Sequence, residues 1–338
     1  MMRRRRFSKF YLILLFIFLI AIVESNSQVQ ARLTFNYYNK SISSENIFKN
    51  NIIEYNESEP LLIDSNTDFD TNNFTGEGTK NNPYIISNLN ITATGTTNAI
   101  EIRYTTVYFI IKDCLILSDL GGISVLSIAY GNCEITNNII ISNSGDGVGI
   151  FFFTVAGCNI TNNECANFME GIHLYVVNDC LIKGNNINGN NYQGINIRYS
   201  NRNVISFNSI KYSTQHGVAI VCTSYDNEVY QNEFCNNSLE EDYLIDDERT
   251  GTINSQGYDE GTNNKWYDEE SKIGNKWTDY DGVGTYKIDG PANSEDIYPM
   301  IYSADESEAV GYSMPIILAL ISICFVIVKK KKERSKKE

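Results

Sequence analysis

The chain has 338 residues, 42% of them apolar, with 27 Lys and Arg against 41 Asp and Glu and a formal net charge of −14. Setting aside the charged residues of the two ends (before position 25 and beyond Val328) leaves 15 Lys and Arg against 38 Asp and Glu, near −23 for the middle of the chain. A surface this acidic repels polyanions, so nucleic acid is excluded as a partner and acidic polysaccharides are disfavoured unless a cation bridges them.

At the N-terminus, Arg3 to Arg6 precede an apolar run from Tyr11 to Val23 and then polar Glu24-Ser25-Asn26-Ser27. This is the layout of a secretory signal over residues 1–31, cut near Ala31, with an uncleaved anchor as the alternative. Residues 32–59 are Asn-rich and weakly patterned, and are expected to form a spacer or N-terminal cap.

Residues 60–237 carry the informative pattern. Ala99, Gly122, Gly147, Gly171, Gly194 and Gly217 recur at spacings of 23, 25, 24, 23 and 23, each followed by an apolar-alternating segment such as Gly-Ile-His-Leu. A second column, Ile116, Ile135, Ile160, Ile182, Ile205 and Val229, is followed three residues later by Asp119, Asn138, Asn163, Asn185, Asn208 and Asn232. Two residues before that column stand Cys114, Cys133, Cys158, Cys180, Asn203 and Asn227. A period in the twenties with strand-type alternation predicts a solenoid. Without a helical period, that solenoid is an all-β, right-handed, single-stranded parallel β-helix, with aliphatic residues in the lumen and an Asn ladder along one corner.

Residues 238–256 are acidic and break the rhythm, so an irregular insert is expected. Trp266 and Trp277 follow within 238–301, which predicts a Trp-rich plug over the open end of the lumen, an exposed aromatic platform being the alternative. After a linker over 302–310, residues 311–328 form an uncharged apolar stretch followed by a basic tail over 329–338. That combination predicts a C-terminal transmembrane helix with a cytoplasmic tail, placing the β-helix at the cell surface. The tail is also similar to prokaryotic surface-sorting signals. Asn39, Asn56, Asn73, Asn90, Asn159 and Asn236 lie in sequons and permit surface glycosylation.

Three further motifs, Gly76-Glu77-Gly78-Thr79…Pro83-Tyr84-Ile85-Ile86, Asp259-Glu260-Gly261-Thr262-Asn263-Asn264-Lys265-Trp266, and Gly274-Asn275-Lys276-Trp277-Thr278-Asp279-Tyr280 with Tyr298-Pro299-Met300, frame the repeats. With them, residues 60 to 301 resemble the NosD-like right-handed β-helix proteins of archaea and bacteria. The resemblance implies the same fold. The family's namesake is implicated in periplasmic copper delivery, and the domain is similar to sugar hydrolases and carbohydrate-binding β-helices. Family members often carry a longer Asp- and Gly-rich, calcium-turn-like loop after the Trp-x-Asp-Tyr element. Here Asp279-Tyr280-Asp281-Gly282 runs straight on, with too few oxygen ligands for calcium.

Copper sites call for His, Met or thiolate ligands. The column of Cys114, Cys133, Cys158 and Cys180 is the one soft-ligand array, and three readings of it stay open: buried packing, disulfides, or a Cu(I) site. No cofactor or resident metal is expected. The outer face of the glycine strands is assigned Asp146, Phe151, Glu170, His173, Tyr175, Asn196, Arg198 and His216. Such a mixture of rings and hydrogen-bonding groups suits a sugar chain lying across coils. Asp146 and Glu170, on adjacent coils, have the form of a glycosidase carboxylate pair, and His173, Glu170 and Arg198 that of a base beside a cation. The function expected is non-catalytic recognition of cell-surface or environmental polysaccharide. A polysaccharide lyase, hydrolase or epimerase, and a copper-handling accessory protein, are the alternatives.

Overall fold

The computed structural model describes residues 55–238, 242–245 and 248–302, and the side chains of 239–251 are not described. The expected signal peptide, most of the spacer, the transmembrane helix and the basic tail lie outside the described residues. Among the described residues, no helix is long and apolar enough to cross a membrane.

The chain winds through about nine turns of a right-handed parallel β-helix. Three parallel sheets form its walls, with ten, eight and seven strands, and in each the neighbour of a strand lies one coil away. The eight-stranded glycine sheet includes Gly121–Leu126, Val148–Ala156, Glu170–Asn178, Ile195–Arg198 and Val218–Val221. The seven-stranded cysteine sheet includes Cys133–Thr136, Asn159–Thr161, Leu181–Lys183 and Val204–Ser206. The ten-stranded third sheet includes Leu115–Ser118, Ile139–Ser142, Asn186–Asn188, Ser209–Lys211 and Glu233–Cys235.

Each sheet sends alternate side chains into the lumen as stacked columns, because alternation fixes the inward set and parallel pairing stacks it. Ile123, Ile150, Ile172 and Ile195 come from the glycine sheet, Ile135, Ile160, Ile182 and Ile205 from the cysteine sheet, and Ile116, Ile140, Ile187 and Ile210 from the third. All are essentially inaccessible to solvent. Each such burial contributes about 1.5–3 kcal/mol. The small column is required by close approach: a Cβ on Gly194 would lie 2.6 Å from Ile210 Cγ2 and 2.6 Å from Gly217 O.

Two registers differ from the sequence expectation. Ile123 pairs with Ile150, so the small residue of that coil is Gly149 and not Gly147. The turn before it is two residues longer than spacing implies, and Gly147 lies in that turn with φ +70°. Likewise Ile111 pairs with Ile135, while Ile116 belongs to the third sheet beside Ile140. Cys114 therefore leaves the cysteine column, and Asp119 leaves the asparagine column. The 19-residue step from Ile116 to Ile135, against 22 to 25 elsewhere, carries that signal.

Corners are tied from coil to coil by side-chain amides. The main-chain N–H of Asn138 donates to Asn163 Oδ1 at 3.0 Å, Asn163 to Asn185 at 2.9 Å, Asn185 to Asn208 at 2.9 Å, Asn208 to Asn232 at 3.0 Å and Asn232 to Asn275 at 3.1 Å. Cys114 stands at the head of this ladder, its N–H donating to Asn138 Oδ1 at 3.1 Å. A second ladder runs Cys180 to Asn203 to Asn227 to Asn264. There the Cys180 thiol takes an amide's place and accepts the Cys158 N–H at 3.3 Å. The seven cysteines among the described residues are free thiols. Burial pushes the Cys114 thiol up to about 11 and the Cys180 thiol up to about 12.

Both ladders end on a buried carboxylate that also takes an indole N–H. Asn275 N donates to Asp296 Oδ2 at 2.7 Å, which accepts Trp277 Nε1 at 3.0 Å. Asn264 Nδ2 donates to Asp259 Oδ1 at 2.9 Å, and Trp266 Nε1 to Asp259 Oδ2 at 3.2 Å. Trp277 stacks between Phe234 and Tyr286, ring centroids 4.1 and 4.0 Å away, and both tryptophans are fully buried, so neither is a platform for sugar. At the other end, Phe69 from the short helix Thr67–Thr71 stacks on Tyr84 at 4.9 Å. The acidic 238–256 segment contains an antiparallel hairpin, Asp242–Ile245 with Glu248–Thr252, where the sequence predicts an irregular insert.

Replacing Asn208 by Ala strips the acceptor from Asn185 N and the donor from Ile182 O. Each orphaned group costs about 1–3 kcal/mol, so urea unfolding is expected to show a loss of at least about 2 kcal/mol. Cys180→Asn, which restores an oxygen acceptor to Cys158 N–H, is expected to unfold at or above the wild-type midpoint.

Candidate functional site

The outer face of the glycine sheet carries two rows of side chains that run across coils. One row is Ser124, Phe151, His173, Asn196 and Ala219, and the other is Leu126, Phe153, Tyr175, Arg198 and Val221. Parallel pairing sets successive members about 4.8 Å apart. Phe151, His173, Tyr175, Asn196 and Arg198 thus come together as the sequence predicts.

Sequence reasoning missed two residues of this face, Tyr199 and Phe153. Phe153 lies four positions beyond Gly149 and stacks on Tyr175 with centroids 5.5 Å apart. Aligning Gly149-Ile150-Phe151-Phe152-Phe153 with Gly171-Ile172-His173-Leu174-Tyr175 finds it, but even spacing favours Gly147. Phe151 meets the His173 ring edge-on at 5.3 Å, and Tyr175 meets Tyr199 at 5.4 Å, so a continuous aromatic ribbon crosses three coils.

Four expected members are not open on this face, among them Asn196, which is 6% exposed. Asp146 is exposed in the long turn ahead of its strand, and Val148 is what pairs with Glu170. Asp146 and Glu170 are therefore not direct partners across the coils. Glu170 is only 5% exposed, bonded beneath its neighbours. His216 is 1% exposed and tilted against Tyr258 at 5.3 Å, with Nε2 3.2 Å from Asp289 Oδ2. Residues from beyond the last regular coil pack over this end of the sheet, where Ala219 and Val221 are buried with Tyr258 and Ile253. This end of the face is thereby closed beyond Arg198, while toward the N-terminal coils the same two rows continue through Ser124 to Glu101 and Leu62 and through Leu126 to Arg103.

At the centre, Glu170 Oε2 accepts from His173 Nδ1 at 2.7 Å and Oε1 from Asn196 Nδ2 at 2.7 Å. Burial opposes ionisation of this carboxyl, but the His173 and Asn196 hydrogen bonds and the Arg198 charge outweigh it and hold Glu170 below the ordinary range. Arg198 Nη2 also donates to Cys222 Sγ at 3.5 Å. Among the described residues, no group of three or more His, Cys, Asp or Glu is placed to hold a metal ion.

The family described as "Right handed beta helix region" matches residues 132–258 of the chain. No curated protein sequence matches it. Among solved structures, a point mutant of the periplasmic alginate epimerase AlgG aligns over 54% of this chain and 47% of its own, at 16% identity and a TM-score of 0.33. The enzymatically active domain of tailspike protein 2 from bacteriophage CBA120 aligns over 73% and 42%, at 12% identity and a TM-score of 0.35. The A-module of the Azotobacter vinelandii mannuronan C-5 epimerase AlgE4 aligns over 73% and 74%, at 13% identity and a TM-score of 0.33. The chain spans less than half the length of the first two. At such identities and TM-scores the likeness carries no argument about activity.

Burial is the main influence on His216 and lowers its pKa, with Asp289 partly opposing. Below the ordinary value of about 6.5 the unfolded chain binds a proton that the folded chain refuses. Stability is therefore full above that pH and falls as the pH drops toward the folded value. His216→Gln is expected to flatten the fall in chemical-denaturation stability between pH 7 and pH 5, by up to about 1.4 kcal/mol per pH unit.

Proposed function

We propose that the protein is an exported, surface-anchored recognition module that binds an extended polysaccharide across the outer face of its glycine sheet. The supporting observation is the ribbon of Phe151, Phe153, Tyr175 and Tyr199, interleaved with His173 and bordered by Arg198, on a rigid wall of parallel strands. Ring edges offer an apolar strip to the C–H faces of sugars, and the polar groups between them meet hydroxyls. A fixed wall also lowers the ordering cost of binding a long, repetitive ligand. The acidic middle of the chain favours neutral polymers over polyanions. Export and C-terminal anchoring rest on the terminal sequence patterns, and they would present this face to the surroundings.

A glycan array on residues 32–310, with Tyr175→Ala and Arg198→Ala as comparators, tests this reading. Binding to at least one polysaccharide is expected, weakened about tenfold or more by either change, the equivalent of about 1.4 kcal/mol. Absence of binding, or binding indifferent to both changes, overturns it. Sugar release by the wild-type protein would replace it with the enzyme reading, and stoichiometric copper uptake without glycan binding with the NosD-type reading.

A further inference from the structure

A carboxylate can only accept hydrogen bonds, so a buried carboxylate dictates what its neighbours show to the outside. Glu170 engages one donor on each oxygen, His173 Nδ1 on Oε2 and Asn196 Nδ2 on Oε1, each at 2.7 Å. In its neutral form the imidazole spends its one N–H on Glu170 and is left with Nε2 as a lone-pair acceptor. The Asn196 amide spends its NH2 group and is left with Oδ1. Neither His173 Nε2 nor Asn196 Oδ1 has a hydrogen-bond partner, and both are screened from solvent.

His173 and Asn196 are direct partners on paired strands, so the two acceptors belong to neighbouring coils about 4.8 Å apart. Gln193, three residues before Asn196, donates its Nε2 to Gln215 and likewise leaves Oε1 without a partner. A buried acceptor without a donor costs about 1–3 kcal/mol. The His173 and Asn196 acceptors, on directly paired residues, are a demand for a ligand that brings donors.

We infer that the Glu170-oriented pair, His173 Nε2 and Asn196 Oδ1, recognises two adjacent hydroxyl groups of a neutral sugar unit. This inference rests on the polysaccharide reading and narrows it to a substrate class. A carboxylated or sulfated sugar brings further acceptors and charge beside two acceptors and a buried carboxylate, where the one cation at the border, Arg198, already answers Glu170. A neutral diol brings two O–H donors and no charge. The half-buried rings of Phe151 and Tyr175, 5.3 and 6.2 Å from the His173 ring, flank the pair. In the proposed complex their edges part to admit the sugar and pack against its C–H bonds. Glu170 acts as a positioning residue: it touches no ligand but fixes the tautomer of His173 and the rotamer of Asn196.

The test uses immobilised wild-type protein and four probes: galactomannan, xylan, dextran and polygalacturonate. Each neutral polymer is also presented after periodate cleavage of its adjacent hydroxyl pairs and borohydride reduction, which leaves it uncharged. At least one neutral polymer is expected to bind, and its treated form to bind at least tenfold more weakly. Polygalacturonate is expected to bind more weakly than that polymer. Glu170→Gln, whose amide can donate and so releases both neighbours from their fixed roles, and Asn196→Leu are each expected to lower affinity about tenfold. Their unfolding midpoints are measured alongside, and the periodate comparison on wild-type protein stands whether or not the variants fold. Preference for polygalacturonate, or affinity indifferent to periodate and to Asn196→Leu, as when a trapped water satisfies both acceptors, overturns this inference and leaves the polysaccharide reading intact. Absence of binding to all four polymers overturns both.

Discussion

Everything in this solenoid hangs on one hydrogen bond repeated from coil to coil, from a corner main-chain N–H to the side-chain oxygen of the residue one coil further on. Within the flat walls, strand pairing satisfies the backbone. At a corner the chain turns away from its neighbours and leaves a buried donor, and such donors are costly without partners. Asparagine answers this with the shortest side chain that both accepts and donates. Asn185 Oδ1 receives the Asn163 main-chain and side-chain N–H groups, while its own Nδ2 reaches Ile160 O and Asn208 Oδ1. The same constraint explains why a thiol is tolerated at Cys180, because sulfur still accepts. It also accounts for the recurrence of Asn-Lys-Trp at 264–266 and 275–277, where an amide ends a ladder and the nearby indole shares the terminating Asp.

A frame tied this closely makes the wall rigid, and rigidity gives the outer face its meaning. Phe151, His173 and Asn196 hold their order because the Ile150, Ile172 and Ile195 stack inside holds theirs. Glu170 then converts position into chemistry. One buried charge, stabilised by two short hydrogen bonds and a nearby guanidinium, fixes the proton arrangement of two neighbours. The face is thus apolar at its rings, accepting at its centre and closed at the end where Tyr258 and Ile253 cover Ala219 and Val221.

Much of this was legible before any coordinates. Inward Ile, corner Asn and small residues repeat at intervals that only a coiled strand arrangement explains. The slips came where turns change length. Two candidate glycines, Gly147 and Gly149, stand two residues apart, so alternation treats them alike, and even spacing favoured the wrong one. That choice put Asp146 on the face and left Phe153 off it. The Ile116 slip has the same origin, since that coil holds two apolar, Ile-bearing strands, one on each side of a corner.

The sequence by itself determined the repeating unit, the lumen, one asparagine ladder and which residue types could face outward, because each depends on local alternation and period. Tertiary structure alone decided which of those residues remain available. His216 disappears beneath Tyr258 and Asp289, and Glu170 sinks between His173 and Asn196. Both outcomes arise from contacts across coils or with chain far along the sequence, about which a one-dimensional period carries no information. The period counts residues along the strand. It does not record what later packs over them, nor which oxygen a buried carboxylate gives to which neighbour.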